Sequence, residues 1–304
     1  MIDQAFLNAL KTEMPQLTWQ TDVPMSRYTT LRVGGSADCL AEPGSSGELG
    51  ALLELAGRYR VPVTVIGNGS NLLVRDGGIR GLVIRFGRAF SACEAAGETI
   101  AAQSGILLSD LSQQALNAGL SGLEFASGIP GTLGGAVVMN AGAYGGEIAQ
   151  VIESAEVLSE GRIITLDHDA LELSYRHSRM QRTGELVLSA CFRLTKDDPA
   201  AIRERMADLR NRRPEKQPLN LPSAGSFFKR PAGAYAAQLI DEAGLKGCRV
   251  GGAMVSEKHA GFLVNVGDAT AADFLMLMRQ VQETVYKNSG FELEPEVRII
   301  GEDA

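Results

Sequence analysis

A segment dense in glycine constrains this chain more than any other feature of its sequence. Residues 127–146 read SGIPGTLGGAVVMNAGAYGG. Flexible linkers are rich in Ser and charged residues, whereas here glycines alternate with Ile, Leu, Val and Met. The pattern indicates backbone packed closely against a ligand or against a neighbouring helix. A short helix beginning after Pro130 would present thin residues and free N–H groups in its first turns, which suits a pyrophosphate.

A second glycine turn precedes this segment. Residues 65–74 read VIGNGSNLLV, a β-branched strand that ends in consecutive small residues. Such a turn exposes several N–H groups in one direction and forms a nest for phosphate oxygens, although an ordinary Asn-Gly turn remains an alternative. It is neither a P-loop nor a Rossmann fingerprint, because no Gly-Lys-Ser/Thr follows and Leu72 stands where a third glycine is required. Two phosphate-binding loops fit a dinucleotide better than a mononucleotide.

Composition narrows the class of protein. The chain has 304 residues, about two domain lengths, and its 45% hydrophobic and 21% charged residues are globular values. A net charge of −7 disfavours a nucleic-acid partner. No apolar run is long enough to span a membrane, and the first residues, MIDQAFLNALK, lack the apolar region of a signal peptide. The four cysteines and three histidines are scattered, so we expect a cytoplasmic protein without a metal site or membrane insertion.

Hydrophobic periodicity predicts a mixed chain of helices and strands. Helices are expected over residues 3–14, 46–56, 108–118, 198–209, 234–243 and 271–287. Strands are expected over residues 61–66, 82–86, 99–103, 154–158, 163–166, 186–194, 261–265 and 295–300. The basic, proline-punctuated stretch 210–222 is the best candidate for a domain boundary.

Five motifs, in order and at this spacing, resemble those of the UDP-N-acetylenolpyruvoylglucosamine reductase family. They are VIGNGSNLLV, GLEFASGIPGTLGGAVVMNAGAYGGEI, SYRHSRM, SAGSFFKRP and EPEVRIIG. The resemblance covers the chain from about Thr29 to Gly301. It implies an α+β fold, in which an FAD-binding domain of the vanillyl-alcohol-oxidase (PCMH) type in two subdomains precedes an α+β substrate-binding domain. The expected bounds are 1–78, with 297–304 returning to it, then 79–213, and finally 214–296.

The resemblance also implies the cofactor and the residues that hold it. FAD is expected to bind non-covalently, because the first loop has no His or Cys through which flavin could be attached. The residues carried over to FAD are Gly67, Asn68, Gly69, Ser70, Asn71, Leu72, Leu73, Ser127, Gly128, Ile129, Gly131, Thr132, Gly134, Gly135, Asn140, Gly142 and Tyr144.

The reaction implied by the resemblance is NADPH-dependent, FAD-mediated reduction of UDP-N-acetylglucosamine enolpyruvate to UDP-N-acetylmuramate in peptidoglycan synthesis. Hydride reaches the methylene carbon, charge accumulates on the carboxylate, and the adjacent carbon takes a proton. Arg176 would pair with the carboxylate through its planar fork. Ser226 would donate the proton, and Glu296 would be a second stabiliser, protonated by burial.

Further implications concern the substrate and the class of enzyme. The residues carried over to the substrate are Tyr175, Lys216, Lys229 and Arg230. Only a short connector separates Arg176 from the strand at Leu186, which places the chain with the shorter class that lacks a lid tyrosine. We expect small-molecule partners only, and a monomer or weak oligomer. The alternatives are a flavin oxidase of the same fold, a non-catalytic flavin or nucleotide-sugar binding protein, and an unrelated phosphate-binding α/β enzyme.

Overall fold

The computed structural model describes residues 2–304 as a chain of short helices and strands. The helices are α1 Gln4–Glu13, α2 Ser46–Arg58, α3 Leu108–Asn117, α4 Leu133–Val138, α5 Met180–Thr183, α6 Pro199–Lys216, α7 Ala236–Glu242 and α8 Ala271–Ser289. The strands are β1 Thr18–Pro24, β2 Ser36–Glu42, β3 Val63–Ile66, β4 Leu72–Val74, β5 Ile79–Arg85, β6 Cys93–Ala96, β7 Thr99–Gln103, β8 Leu120–Ser121, β9 Gly142–Ala143, β10 Gly146–Glu147, β11 Ile152–Ser159, β12 Arg162–Asp167, β13 Leu186–Arg193, β14 Thr195–Lys196, β15 Ser223–Ser226, β16 Arg249–Val250, β17 Ala253–Val255, β18 Phe262–Asn265 and β19 Arg298–Ile300.

The first sheet has the strand order β1-β2-β5-β3, with β5 parallel to both of its neighbours. Helices α1 and α2 cover one face, where Phe6 and Leu49 are fully buried. The opposite face packs on the parallel pair of β4 and β19, through Val74 and Ile300. The last strand of the chain therefore lies beside the first glycine turn.

The second sheet is antiparallel, in the order β12-β11-β13-β7-β6. Helices α3 and α4 contribute buried residues to its core, among them Leu111 and Val137, which share one cluster with Phe192 of β13. The glycine-rich segment 127–146 thus contains a helix that packs on a sheet, and the same segment leads into that helix through a loop. Both the packing role and a ligand role are compatible with its composition.

The third sheet is antiparallel, in the order β15-β18-β17-β16, and packs against α7 and α8. Phe227 and Phe274 stack in its core with ring centroids 6.2 Å apart. Leu31 and Leu73, from the first part of the chain, are buried in the same core. The third sheet is therefore joined to the first by shared apolar packing.

The predicted end of one helix, at residue 209, and the predicted subdomain boundary at 78/79 are wrong. Helix α6 runs through Pro214 to Lys216, because a proline in the last turns removes only one bond, to the carbonyl of the exposed Arg210. The subdomain boundary predicted at 78/79 also fails, since β5 begins at Ile79 and is a central strand of the first sheet. The other predicted domain bounds stay predictions.

Some elements were not predicted from the sequence. Strand β1 was missed because its TWQTDVP sequence is largely polar and exposed and shows no alternation. The short strands of the third sheet, β15 and β17, carry too few residues for a period to be recognised. Within residues 2–304, no helix is both long and apolar enough to cross a membrane. The same residues contain no cluster of three or more His, Cys, Asp or Glu side chains suited to a metal ion.

Candidate active site

The two glycine loops meet each other. A Cβ on Gly67 would lie 2.1 Å from Oγ1 of Thr132, so only glycine allows this approach. The side-chain amide of Asn68 donates to the carbonyl of Pro130 at 2.7 Å. The structure therefore brings together the two segments that the sequence assigned to a pyrophosphate, and we name residues 67–71 and 127–135 the glycine cradle.

Two glycines of the cradle serve different purposes. Gly69 has a φ of +62°, and a Cβ there would lie 1.9 Å from the carbonyl oxygen of Tyr28. At Gly131 the nearest atom to a Cβ would be Oγ of Ser70, at 3.4 Å, an ordinary contact distance. The fold itself requires glycine at position 69. Position 131 tolerates a methyl group, and that methyl group would make the cradle narrower.

Three predicted cofactor residues have side chains engaged within the protein. Leu73 is fully buried in the core of the third sheet, so its side chain is a packing group. The buried Asn140 donates to the carbonyl of Ser174 and accepts from the amide of Ala149. Asn71 donates its side-chain amide to the carbonyl of Glu296 at 3.1 Å. These three side chains hold other segments of the protein in place.

Arg176 and Glu296, from separate motifs, form an ion pair. Nε of Arg176 donates to Oε1 of Glu296 at 2.6 Å, and the two side chains are 19% and 13% exposed. Burial raises the pKa of the Glu296 carboxyl, against the opposing attraction of Arg176 and Lys229. The guanidinium also lies over the ring of Tyr175, 5.1 Å from its centroid. The pair offers a fixed cation beside an acid that holds its proton more tightly than usual.

Ser226 lies next to the segment that carries Glu296. It ends β15, and the following residue, Phe227, accepts a backbone hydrogen bond from the amide of Glu296 at 2.9 Å. Ser226 is exposed, and its hydroxyl makes no hydrogen bond within the described residues 2–304. The hydroxyl is therefore available to a ligand, and β15 and the last segment of the chain position it.

Three of the four predicted substrate residues line one cavity. Oη of Tyr175 accepts from the amide of Arg230 at 3.1 Å. Lys229 pairs with Glu294 at 3.1 Å. The cavity has a volume of about 240 Å³ and is lined by Tyr175, Lys229, Arg230, Pro231, Ala232, Glu292 and Glu294. Lys216, the fourth, is the exposed last residue of α6 and does not line this cavity.

Arg213 is a candidate site residue that the sequence reasoning missed. Its Nη1 lies 2.3 Å from the position of a Cβ on Gly128, and its Nε donates to Gln217. Burial lowers the pKa of the Arg213 guanidinium. The basic stretch was interpreted as a domain boundary, yet position 213 shares a helical face with the buried Ile202 and Met206. That spacing could have identified an inward-facing cation.

Known proteins are similar to this chain over almost its whole length. A model of the FAD binding domain matches residues 37–167, and a model of the UDP-N-acetylenolpyruvoylglucosamine reductase C-terminal domain matches residues 217–300. UDP-N-acetylenolpyruvoylglucosamine reductase of Agathobacter rectalis is 52% identical, covering 99% of this chain and 100% of the relative. The same enzyme of Levilactobacillus brevis is 52% identical, covering 97% of each. The crystal structure of the Thermus caldophilus enzyme has a TM-score of 0.79 at 39% identity, covering 93% of this chain and 98% of that one.

Proposed function

This chain belongs to the UDP-N-acetylenolpyruvoylglucosamine reductase family, and we propose that Arg176, Ser226 and Glu296 carry the chemistry at its substrate. It is an FAD-dependent oxidoreductase that uses NADPH to reduce the enolpyruvyl group of UDP-N-acetylglucosamine enolpyruvate in peptidoglycan synthesis. Its α+β fold joins an FAD-binding domain of the vanillyl-alcohol-oxidase type to a substrate-binding domain. The flavin oxidase alternative has no support from these relatives.

The glycine cradle fits FAD. Its two loops touch at Gly67 and Thr132, and a Cβ on Gly131 would meet Oγ of Ser70, in the other loop, at only 3.4 Å. We assign residues 67–71 and 127–135 to the pyrophosphate and its surroundings, through backbone N–H groups other than those that the fold already uses. The amides of Leu133 and Gly134, at the start of α4, donate to carbonyls of the preceding loop, residues 104–106, and that of Ile129 donates within its own turn. Arg213 adds a half-buried cation next to Gly128, which balances negative charge on the cofactor. When bound, FAD supplies hydride transfer between NADPH and the sugar.

The contact between Arg176 and Glu296 carries the proposal about the substrate. Reduction of an enol ether next to a carboxylate places negative charge on that carboxylate before the adjacent carbon is protonated. Arg176 presents Nε to Glu296 and Nη1 to the carbonyl of Asn140, which leaves Nη2 for the carboxylate of the substrate. Glu296, whose pKa is raised by burial, places its carboxyl group beside the same site. The two residues, held together by this contact, stabilise the developing charge as a pair.

We assign Ser226 as the proton donor to the substrate carbon. Ser226 is exposed and its hydroxyl makes no hydrogen bond within residues 2–304, and the carbonyl of the next residue, Phe227, accepts a hydrogen bond from the amide of Glu296. A hydroxyl is a weak acid, but a carbanion-like centre is a strong base and needs no stronger donor. The diphosphate of the substrate is assigned to Tyr175, Lys229 and Arg230 around their common cavity.

The cellular role is proposed from the reaction. We assign the protein to cell wall biogenesis in the cytoplasm, and through it to cell shape, cell division and the cell cycle. Four free cysteines support a reducing compartment. A monomer or weak oligomer stays our expectation.

Separate measurement of the two half-reactions tests the assignment of Ser226. In Ser226→Ala, bleaching of the flavin by NADPH should proceed at the wild-type rate, because this half-reaction does not include the delivery of a proton to the carbon of the substrate. Recovery of flavin absorbance with the enolpyruvyl sugar should slow by roughly 10² to 10⁴, the usual contribution of a general acid. Stopped-flow absorbance follows each step in turn.

Ser226→Cys is the control, since a thiol retains a transferable proton and should recover part of the rate. Equal slowing of both half-reactions in Ser226→Ala would mean that the serine holds structure or flavin. Unchanged rates in both would remove Ser226 from the mechanism.

A further inference from the structure

Arg176 occupies a backbone conformation that a non-glycine residue rarely adopts. Its φ is +55°, in the left-handed region. It lies within a tight turn in which Ser174 and His177 exchange backbone hydrogen bonds at 3.1 and 3.2 Å. A left-handed arginine persists only where the surrounding structure holds it. The groups that hold this turn therefore decide where the guanidinium lies.

One side-chain amide contacts this turn and two other segments. Nε2 of Gln181 donates to the carbonyl of Arg176 at 3.0 Å and to the carbonyl of Val138 at 2.8 Å. Oε1 of Gln181 accepts from Nη1 of Arg298 at 3.1 Å. Gln181 is half-buried on α5 and thus joins the turn to the end of α4 and to the start of β19.

The same end of α4 holds the turn at two more points. The carbonyl of Val138 also accepts from the buried hydroxyl of Ser178 at 2.7 Å. Asn140, two residues further on, donates its amide to the carbonyl of Ser174 at 3.0 Å. Helix α4 begins directly after Thr132, a residue of the glycine cradle. One short helix therefore connects the cradle at its amino end with the Arg176 turn at its carboxyl end.

We propose that Gln181 is a positioning residue, which fixes the left-handed turn and so the distance of the Arg176 guanidinium from the glycine cradle. The proposal rests on the role assigned above to Arg176. Gln181 acts through the backbone carbonyls of Arg176 and Val138. Both donor hydrogens of its amide are used, so no other part of the amide can replace them.

Loss of these donors should affect one half of the reaction. With no partner for the Arg176 carbonyl, the turn can leave the left-handed region, and the guanidinium moves away from the substrate carboxylate. Bleaching by NADPH does not require that carboxylate contact. Displacement of a reacting group by about 1 Å can cost about 10²-fold in rate.

The test is Gln181→Met, which keeps the length and approximate volume of the side chain and removes its donors. Flavin recovery with the enolpyruvyl sugar should slow by roughly 10-fold to 10²-fold, while bleaching by NADPH stays at the wild-type rate. Gln113→Met, on the exposed face of α3, is the matched control and should change neither rate. Equal slowing of both half-reactions in Gln181→Met would overturn the proposal.

A double-mutant cycle separates this inference from the proposed function. If Gln181 acts through Arg176, adding Gln181→Met to Arg176→Ala should cause no further slowing. Independent, multiplying effects would overturn the positioning role of Gln181. If Arg176→Ala alone leaves flavin recovery unchanged, the role proposed for Arg176 fails instead. Should Gln181→Met not retain FAD, Gln181→Glu keeps the acceptor for Arg298, lacks the donors, and is measured in the same way.

Discussion

At the scale of single residues, the guanidinium of Arg176 is divided between two tasks. Nε is committed to Glu296, and Nη1 lies 3.4 Å from the carbonyl of Asn140. Nη2 makes no hydrogen bond within residues 2–304. A lysine has a single nitrogen at its end and cannot contact Glu296 and a substrate carboxylate in the same geometry. If Arg176 has the role proposed above, we expect the fork itself, rather than the charge alone, to matter at this position.

Arg176→Lys should therefore not be conservative. We expect transition-state stabilisation to fall by about 3 kcal/mol, the loss typical of a missing oxyanion donor, which is about 10²-fold in the rate of flavin recovery with the sugar. Retention of FAD should be unchanged because the residue lies outside the glycine cradle. Stopped-flow rates and a flavin absorbance spectrum measure the two properties. A lysine variant with wild-type kinetics would show that only the positive charge matters.

At the scale of elements, two loops and one helix form the candidate cofactor site. The first loop follows β3, and the second leads into α4. The first loop is also bonded to the last segment of the chain, since the carbonyl of Asn71 accepts from the amide of Arg298 at 2.9 Å. The glycines of the cradle are of two kinds. Gly69 is required by the shape of its loop, whereas Gly131 has room for an added Cβ.

Gly131→Val tests that division. The new side chain should narrow the cradle without disturbing the fold, because a Cβ at position 131 meets only ordinary contacts. Overpacking of about 1–3 kcal/mol corresponds to an increase of roughly 5-fold to 10²-fold in the dissociation constant of FAD. Titration of the apoprotein with FAD, followed by fluorescence, measures this dissociation constant.

Two comparisons complete this test. Gly50→Val, where an added Cβ has no neighbour within 4 Å, should leave FAD affinity unchanged. Gly69→Val should lower thermal stability as well as affinity, because of its positive φ and its approach to Tyr28. Wild-type affinity in Gly131→Val would place FAD elsewhere.

Bound flavin should separate from the denatured chain, and flavin that stays attached would contradict a non-covalent link.

At the scale of the whole molecule, the site lies where three parts of the chain meet. Leu73 belongs to a strand beside the glycine cradle, and it is buried in the same core as Phe227, which follows Ser226. Strand β19 returns from the substrate-binding part to pair with β4. Glu296 is therefore held by both parts, and its burial is a property of the assembled molecule.

That burial predicts how stability depends on pH. The pKa of Glu296 is raised in the folded protein, so between its ordinary value and the raised one the native state binds more protons than the unfolded state. Stability contributed by this group is present at low pH and is lost as pH rises through the raised value. The free energy of unfolding of the wild type minus that of Glu296→Gln should therefore decrease as the pH rises from about 4 to about 8.

Denaturant unfolding at a fixed FAD concentration across this pH range measures the difference. Glu283→Gln, on the exposed side of α8, shows the effect of removing one surface carboxylate. A difference that increases with pH would mean that the attraction of Arg176 outweighs burial in the folded protein.

The sequence by itself determined the class of fold, the cofactor and the family. Local patterns were sufficient for this, because glycine spacing, helical periodicity and short motifs are read over a few neighbouring residues. Helices α1, α2, α3 and α8 were predicted within a few residues of their observed ends. Arg176, Ser226 and Glu296 were named from motifs, without any information on how far apart they lie.

Only the tertiary structure decided how these residues act on one another. The pair of Arg176 and Glu296 joins positions 120 residues apart, and no local pattern specifies such a contact. The side chains of Asn71, Asn140 and Leu73 proved to hold the protein together because their partners come from distant segments. Burial, which raises the pKa of Glu296 and brings Arg213 against Gly128, exists only once the three cores are assembled.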